Sequence, residues 1–140
     1  MKTEIQRKPL YQKLGFKPEF KITVLNAPAD YFKLLGCDDA DFTIKNKVQN
    51  NSDIIHCFLT TKSELNTELD YLKSNIKENG MIWISWPKKS AKISSDLSED
   101  YIRVTAINSG LVDVKVCAVN ETWSALKLVI PLKLRKNLKT

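Results

Sequence analysis

The residues best suited to hold a ligand lie in Ser85-Trp86-Pro87-Lys88-Lys89. An indole face beside two ammonium groups can hold a planar anion such as a nucleotide by stacking and charge. The competing reading places Trp86 in the core and leaves the lysines as a solvated loop. Trp123 with Lys127 repeats the combination, where the tryptophan reads as the packed cap of a hairpin turn rather than as a recognition surface. His56, the sole histidine, sits within Ile54-Ile55-His56-Cys57-Phe58-Leu59 and reads as a hydrogen-bonded core residue rather than a base. Asp38, Asp39 and Asp41 lack the glycine and distal glutamate of a calcium loop. Cys37, Cys57 and Cys117 form no C-x-x-C pair and assemble no metal site with a single histidine. There is no nucleophile elbow and no glycine-rich phosphate loop, so residue pattern assigns no catalytic residue, no metal and no cofactor.

These groups need a frame, and the frame is legible around residues 53–86. Leu65, Leu69, Leu72 and Ile76 recur at helical spacing, predicting a helix over 64–79 that a Thr61/Glu64 capping box opens and Gly80 closes in the left-handed conformation. Apolar runs at 53–59 and 81–86 flank it, so the order is strand, helix, strand, with the two strands parallel. Upstream, residues 10–16 predict a short helical turn closed by glycine, and residues 21–27 the first strand. Pro28 and Gly36 bracket a helix with Tyr31, Leu34 and Leu35 on its apolar side, and a weak strand follows near 41–45. Downstream, Ser98 caps a helix that Gly110 ends. Val112, Val114, Val116 and Ala118 are expected to share one strand face, as are Leu126, Leu128, Ile130 and Leu132. Together these runs predict an antiparallel pair with 126–132 at the sheet edge.

The fold class is therefore α/β: a three-layer, Rossmann-like, mostly parallel sheet with a C-terminal antiparallel hairpin. At 140 residues the chain suits one domain, with residues 1–20 an extension packing on it. In such a sheet ligands sit beyond the carboxyl ends of the strands. That rule selects Asn26, Pro28 and Asp30 after the first strand, Thr61 after the second apolar run, and Ser85, Trp86, Lys88 and Lys89 after the third, with Trp123 nearby. Lysine and arginine number 22 against 16 acidic residues, a net charge of +6 that favours anionic partners without choosing one. The basic termini read as solvated ends rather than a nucleic-acid patch. The charged N-terminus, the absence of any membrane-length apolar run and the unpaired cysteines predict a cytoplasmic protein with no membrane partner.

The succession of elements over 21–132, the strand beginning at Asp53 and the Lys77-Glu78-Asn79-Gly80-Met81-Ile82 turn resemble the class I S-adenosylmethionine-dependent methyltransferase fold. The wording of residues 10–16, 85–90 and 111–119 is similar to a smaller bacterial family known only as a domain of unknown function. The first resemblance implies a glycine-rich turn after the first strand and an acid at the end of the second. Here Asn26-Ala27-Pro28-Ala29-Asp30 and Lys45-Asn46-Lys47 occupy those places. The expectation is a non-catalytic binding or interaction protein on a methyltransferase-like scaffold, taking an anionic small molecule or nucleotide at the strand ends, or a protein partner. The alternative is a divergent S-adenosylmethionine-dependent methyltransferase that holds its cofactor with Asn26 and Asp30. A weak nucleic-acid binder is the second alternative.

Overall fold

A computed structural model describes residues 8–37 and 41–135. Six strands form one sheet: β1 (Ile22–Leu25), β2 (Ile44–Lys45), β3 (Ser52–Phe58), β4 (Ile76–Pro87), β5 (Val112–Ala118) and β6 (Trp123–Val129). Their spatial order is β2-β1-β3-β4-β6-β5. β2, β1, β3 and β4 are mutually parallel, and β6 runs antiparallel to both β4 and β5. The expected α/β class with its C-terminal antiparallel hairpin is the observed one.

The sequence alternation of the central strands explains the layers. Ile54 and Phe58 of β3 and Trp83 of β4 point into a core beneath α1 (Leu10–Leu14) and α2 (Tyr31–Leu35). Ile55, Cys57, Ile82 and Ile84 point the other way, against α3 (Lys62–Lys73) and α4 (Glu99–Asn108). Strands buried on both sides read as unbroken apolar runs for this reason. α1 is short, and its hold on the sheet is specific: the Trp83 indole Nε1 donates to the Leu14 carbonyl at 3.0 Å with the indole fully buried. At the opposite end of the strands from the ligand side, the Asp53 carboxylate accepts from the Lys21 backbone N–H at 2.8 Å and pairs with Lys77 at 3.0 Å.

Three expectations need correction. The helix predicted over 64–79 ends at Lys73, because the Ser74 hydroxyl and the Asn75 amide both donate to the Tyr71 carbonyl and turn the chain, and Ile76 begins β4. Gly80 therefore caps no helix. It lies within β4 where the register with β3 slips between Ser52 and Ile54, and a Cβ there would stand 3.0 Å from the Ser52 carbonyl oxygen and 3.1 Å from that of Asp53. Glycine is required for this backbone approach rather than for a left-handed turn.

The second correction concerns the last two strands. β5, not the run 126–132, is the edge, while β6 lies between β4 and β5, and Leu132 sits beyond it in a 3₁₀ turn (Leu132–Leu134). Third, the β5 valines share no common face. A bulge at Val114, between the paired residues Asp113 and Lys115, puts Val112 on the α1 side opposite Val129 and Val116 on the α4 side opposite Leu126, all three valines being exposed. Residues 38–40 of the acidic loop and residues 1–7 of the N-terminal extension lie outside the described residues. Among those described, no helix is long and apolar enough to cross a membrane, and no group of three potential metal ligands converges.

Candidate functional site

From β1 the chain crosses to β2 on one side and then to β3 on the other, so the carboxyl ends of β1 and β3 flank the point where ligands enter sheets of this kind. Asn26 stands there with φ at 60°, the left-handed conformation that asparagine tolerates better than other residues with a side chain. Its amide Nδ2 donates to the Phe58 carbonyl at 3.2 Å, latching the β1 exit to β3. The turn thus keeps a backbone shape usually given to glycine, and the preference of asparagine for it was the one available sequence signal.

Two recesses open beside this latch. On the α2 side, a recess of about 420 Å³ is lined by Ala27, Pro28, Ala29, Phe32 and Ile44, with Lys45 and Asn46 as its polar members alongside the Tyr31 ring. Phe32 is 39% exposed, an apolar ring left facing the recess mouth. On the α3 side, a smaller recess of about 230 Å³ is lined by Asn26, Val48, Cys57, Leu59, Glu64 and Glu68. There the Glu64 carboxylate is held below its usual range, first by the Thr60 backbone N–H and then by Thr61, as part of the α3 capping box. Burial pushes the Cys57 thiol up to about 12, helped by the charges of Glu68 and Glu64.

Beneath the larger recess runs a buried polar chain. The Tyr31 hydroxyl meets His56 Nδ1 at 2.7 Å, and His56 Nε2 meets the Ser85 hydroxyl at 2.7 Å. Either imidazole tautomer satisfies both contacts. Burial lowers the His56 pKa from 6.5 to about 3, so the ring is neutral, and it raises the Tyr31 phenol well above its ordinary value. Ser85, fully buried, is thereby a core partner of the histidine and does not line the recess.

The remaining predicted positions lie elsewhere. Trp86 is 7% exposed and belongs to the core on the α3 side, so its indole has little face left for stacking. With Lys88, Lys89 and Ser124 it borders a recess of about 430 Å³ that also receives Glu99 and Asp100 at the start of α4, mixing both charge signs. Arg103 pairs with Glu99, Asp100 and Asp113, tying that helix start to β5. Thr61 is committed to the α3 cap, accepting from the Glu64 N–H at 3.0 Å. Trp123 packs edge-on against Phe58 at 5.1 Å. Asp30 is exposed at the start of α2 and makes no side-chain cap. The structure thus puts Pro28 on the α2-side recess and Asn26 on the α3-side recess across the β1 exit, and groups Trp86, Lys88 and Lys89 elsewhere. Sequence reasoning missed Phe32, Ile44 and Tyr31 as recess walls, because nothing in their spacing distinguishes a wall from a core.

No family model and no curated protein matches the chain. Solved structures do. Magnesium protoporphyrin IX methyltransferase from Synechocystis PCC 6803, with bound SAH, superposes with a TM-score of 0.58 at 10% identity, over 86% of this chain and 78% of that one. Ribosomal protein L11 methylase from Lactobacillus delbrueckii subsp. bulgaricus gives 0.57 at 10% identity, over 86% and 74%. A putative methyltransferase from Thermoplasma acidophilum gives 0.56 at 8% identity, over 94% and 76%. At such identities the likeness speaks for architecture alone. The architecture of this chain is that of the class I S-adenosylmethionine-dependent methyltransferases, a methyltransferase-like Rossmann fold.

Proposed function

We propose that this chain is a divergent S-adenosylmethionine-binding domain of methyltransferase type, with the nucleoside part of its ligand in the α2-side recess. The observation that carries the reading is Asn26: its left-handed φ of 60° keeps the turn after β1 although no glycine is present. The donor set fits a nucleoside. Ala27, Pro28, Ala29, Phe32 and Ile44 offer an apolar slot for a flat base, and the Asn46 amide is suited to ribose hydroxyls. When bound, the cofactor supplies a transferable methyl group. The chain's own part is to bind and orient, since the described residues lining the recess include no imidazole or carboxylate to remove a proton from an acceptor.

A second reading, a nucleotide-binding domain without catalysis, is favoured by one observation. Among the described residues Lys45 lines the recess and no carboxylate does, which suits a phosphate. Melting temperatures measured with S-adenosylmethionine, S-adenosylhomocysteine, adenosine and AMP separate the two. A ligand at 100 times its Kd stabilises the fold by about 2.7 kcal/mol, raising the melting temperature by roughly 5–10 °C. The expected result is a shift with the methyl donor and its product that disappears in Ala29→Trp, an exposed position where an indole fills the slot. A shift with AMP alone selects the second reading, and an undiminished shift in Ala29→Trp removes the recess from both.

A further inference from the structure

The C-terminal hairpin carries a charge arrangement that the recess does not use. Lys127 lies in β6, an inner strand, and in register it stands between Trp83 of β4 and Lys115 of β5. Residues opposite one another on neighbouring strands point the same way, so both lysines project on the Trp83 side of the sheet, the side on which α1 packs. Lys13 immediately precedes Leu14, whose carbonyl takes the Trp83 indole N–H at 3.0 Å, so the end of α1 that carries Lys13 lies over Trp83, the residue opposite Lys127. Lys13 and Lys115 both act on the half-buried Cys117 thiol, partly offsetting the burial that raises its pKa. Among the described residues, none of these three lysines takes part in an ion pair.

α1 and β6 contain no acidic residue, and the acid of β5, Asp113, pairs with Leu128 on the opposite side of the sheet, where it accepts from Arg103. Burial lowers the Lys127 pKa, and the repulsion of Lys115 directly opposite lowers it further. A lysine on an edge strand is explained as a guard against unwanted strand pairing. That explanation covers Lys115 but not a second lysine on an inner strand and a third on the helix above it.

We propose that Lys13, Lys115 and Lys127 form a site for a compact phosphate-type anion on the α1 side of the hairpin. The proposal is independent of the methyl-donor reading. Its test is a titration of inorganic pyrophosphate into the full chain at low ionic strength, following alkylation of Cys117 peptide by peptide. The expected result is saturable protection of Cys117 that survives Lys88→Ala with Lys89→Ala. In Lys127→Met, and in Lys115→Ala at its exposed position, the anion should bind roughly tenfold more weakly or worse, the loss of one charge-assisted contact. No saturable protection in the wild type, or equal protection in Lys127→Met, overturns the site. Protection by a short oligonucleotide where pyrophosphate gives none also overturns it, assigning the surface to nucleic acid.

Discussion

A lone histidine in an apolar run has two fates, and the geometry around His56 decides between them. With Tyr31 on one ring nitrogen and Ser85 on the other, the ring has no lone pair left for a substrate, and protonation would force both partners to accept. Its folded pKa of about 3 lies below the unfolded value of 6.5, so folding favours the neutral ring. The stabilisation is complete above pH 6.5 and is lost as pH falls toward 3, by on the order of 4 kcal/mol across that range. Urea denaturation from pH 7 to pH 4 should show this loss in the wild type and a much flatter profile in His56→Phe. Parallel profiles would mean that other groups dominate acid unfolding. The core role was readable from the surrounding residue types, whereas the two partners were not, because Tyr31 and Ser85 are remote in sequence and meet only across the sheet.

At the scale of elements, periodicity gave the right kinds of structure and misplaced a boundary. The stripe Leu65, Leu69, Leu72 and Ile76 runs on past the helix because Ile76, the first residue of β4, also points into the core on the α3 side. A helix face and a strand start that bury against the same core leave no break in spacing. Gly80 then looked like a stop signal, although what it meets is backbone: the carbonyl oxygens of Ser52 and Asp53, at 3.0 and 3.1 Å from a Cβ position. Gly80→Ala must push β4 away from β3 and should destabilise the protein by about 1–3 kcal/mol, the usual cost of overpacking. A denaturant midpoint equal to wild type would show that the slipped register accommodates a methyl group. The bulge at Val114 was equally hidden, since an inserted residue leaves the alternation of residue types intact while turning the side chains beyond it over.

For the molecule as a whole, the crossover around α3 and the closing hairpin were enough to indicate the architecture, because chirality and connection length leave few ways to assemble them. The ligand side was much less legible. Whether Trp86 faces a crevice or the core, and whether the turn at Asn26 keeps its left-handed shape, depend on packing from segments remote in sequence. The aromatic and cationic cluster at the end of β4 has the stronger chemical signature, yet the apolar recess formed just after Asn26, built from alanines, a proline and a phenylalanine with no chemical signature of their own.

The bond from the Trp83 indole to the Leu14 carbonyl gives the protein an internal optical reporter. Trp83 is shielded completely from water, so its emission should lie at short wavelength for as long as α1 stays docked. In a Trp86→Phe/Trp123→Phe background, Leu14→Ala should lower stability by about 2–5 kcal/mol. It should also move that emission to the red and admit acrylamide before the sheet itself unfolds by far-UV circular dichroism. Coincident fluorescence and dichroism transitions would mean that the N-terminal segment and the sheet melt as one cooperative unit, with α1 as integral to it as the strands beneath.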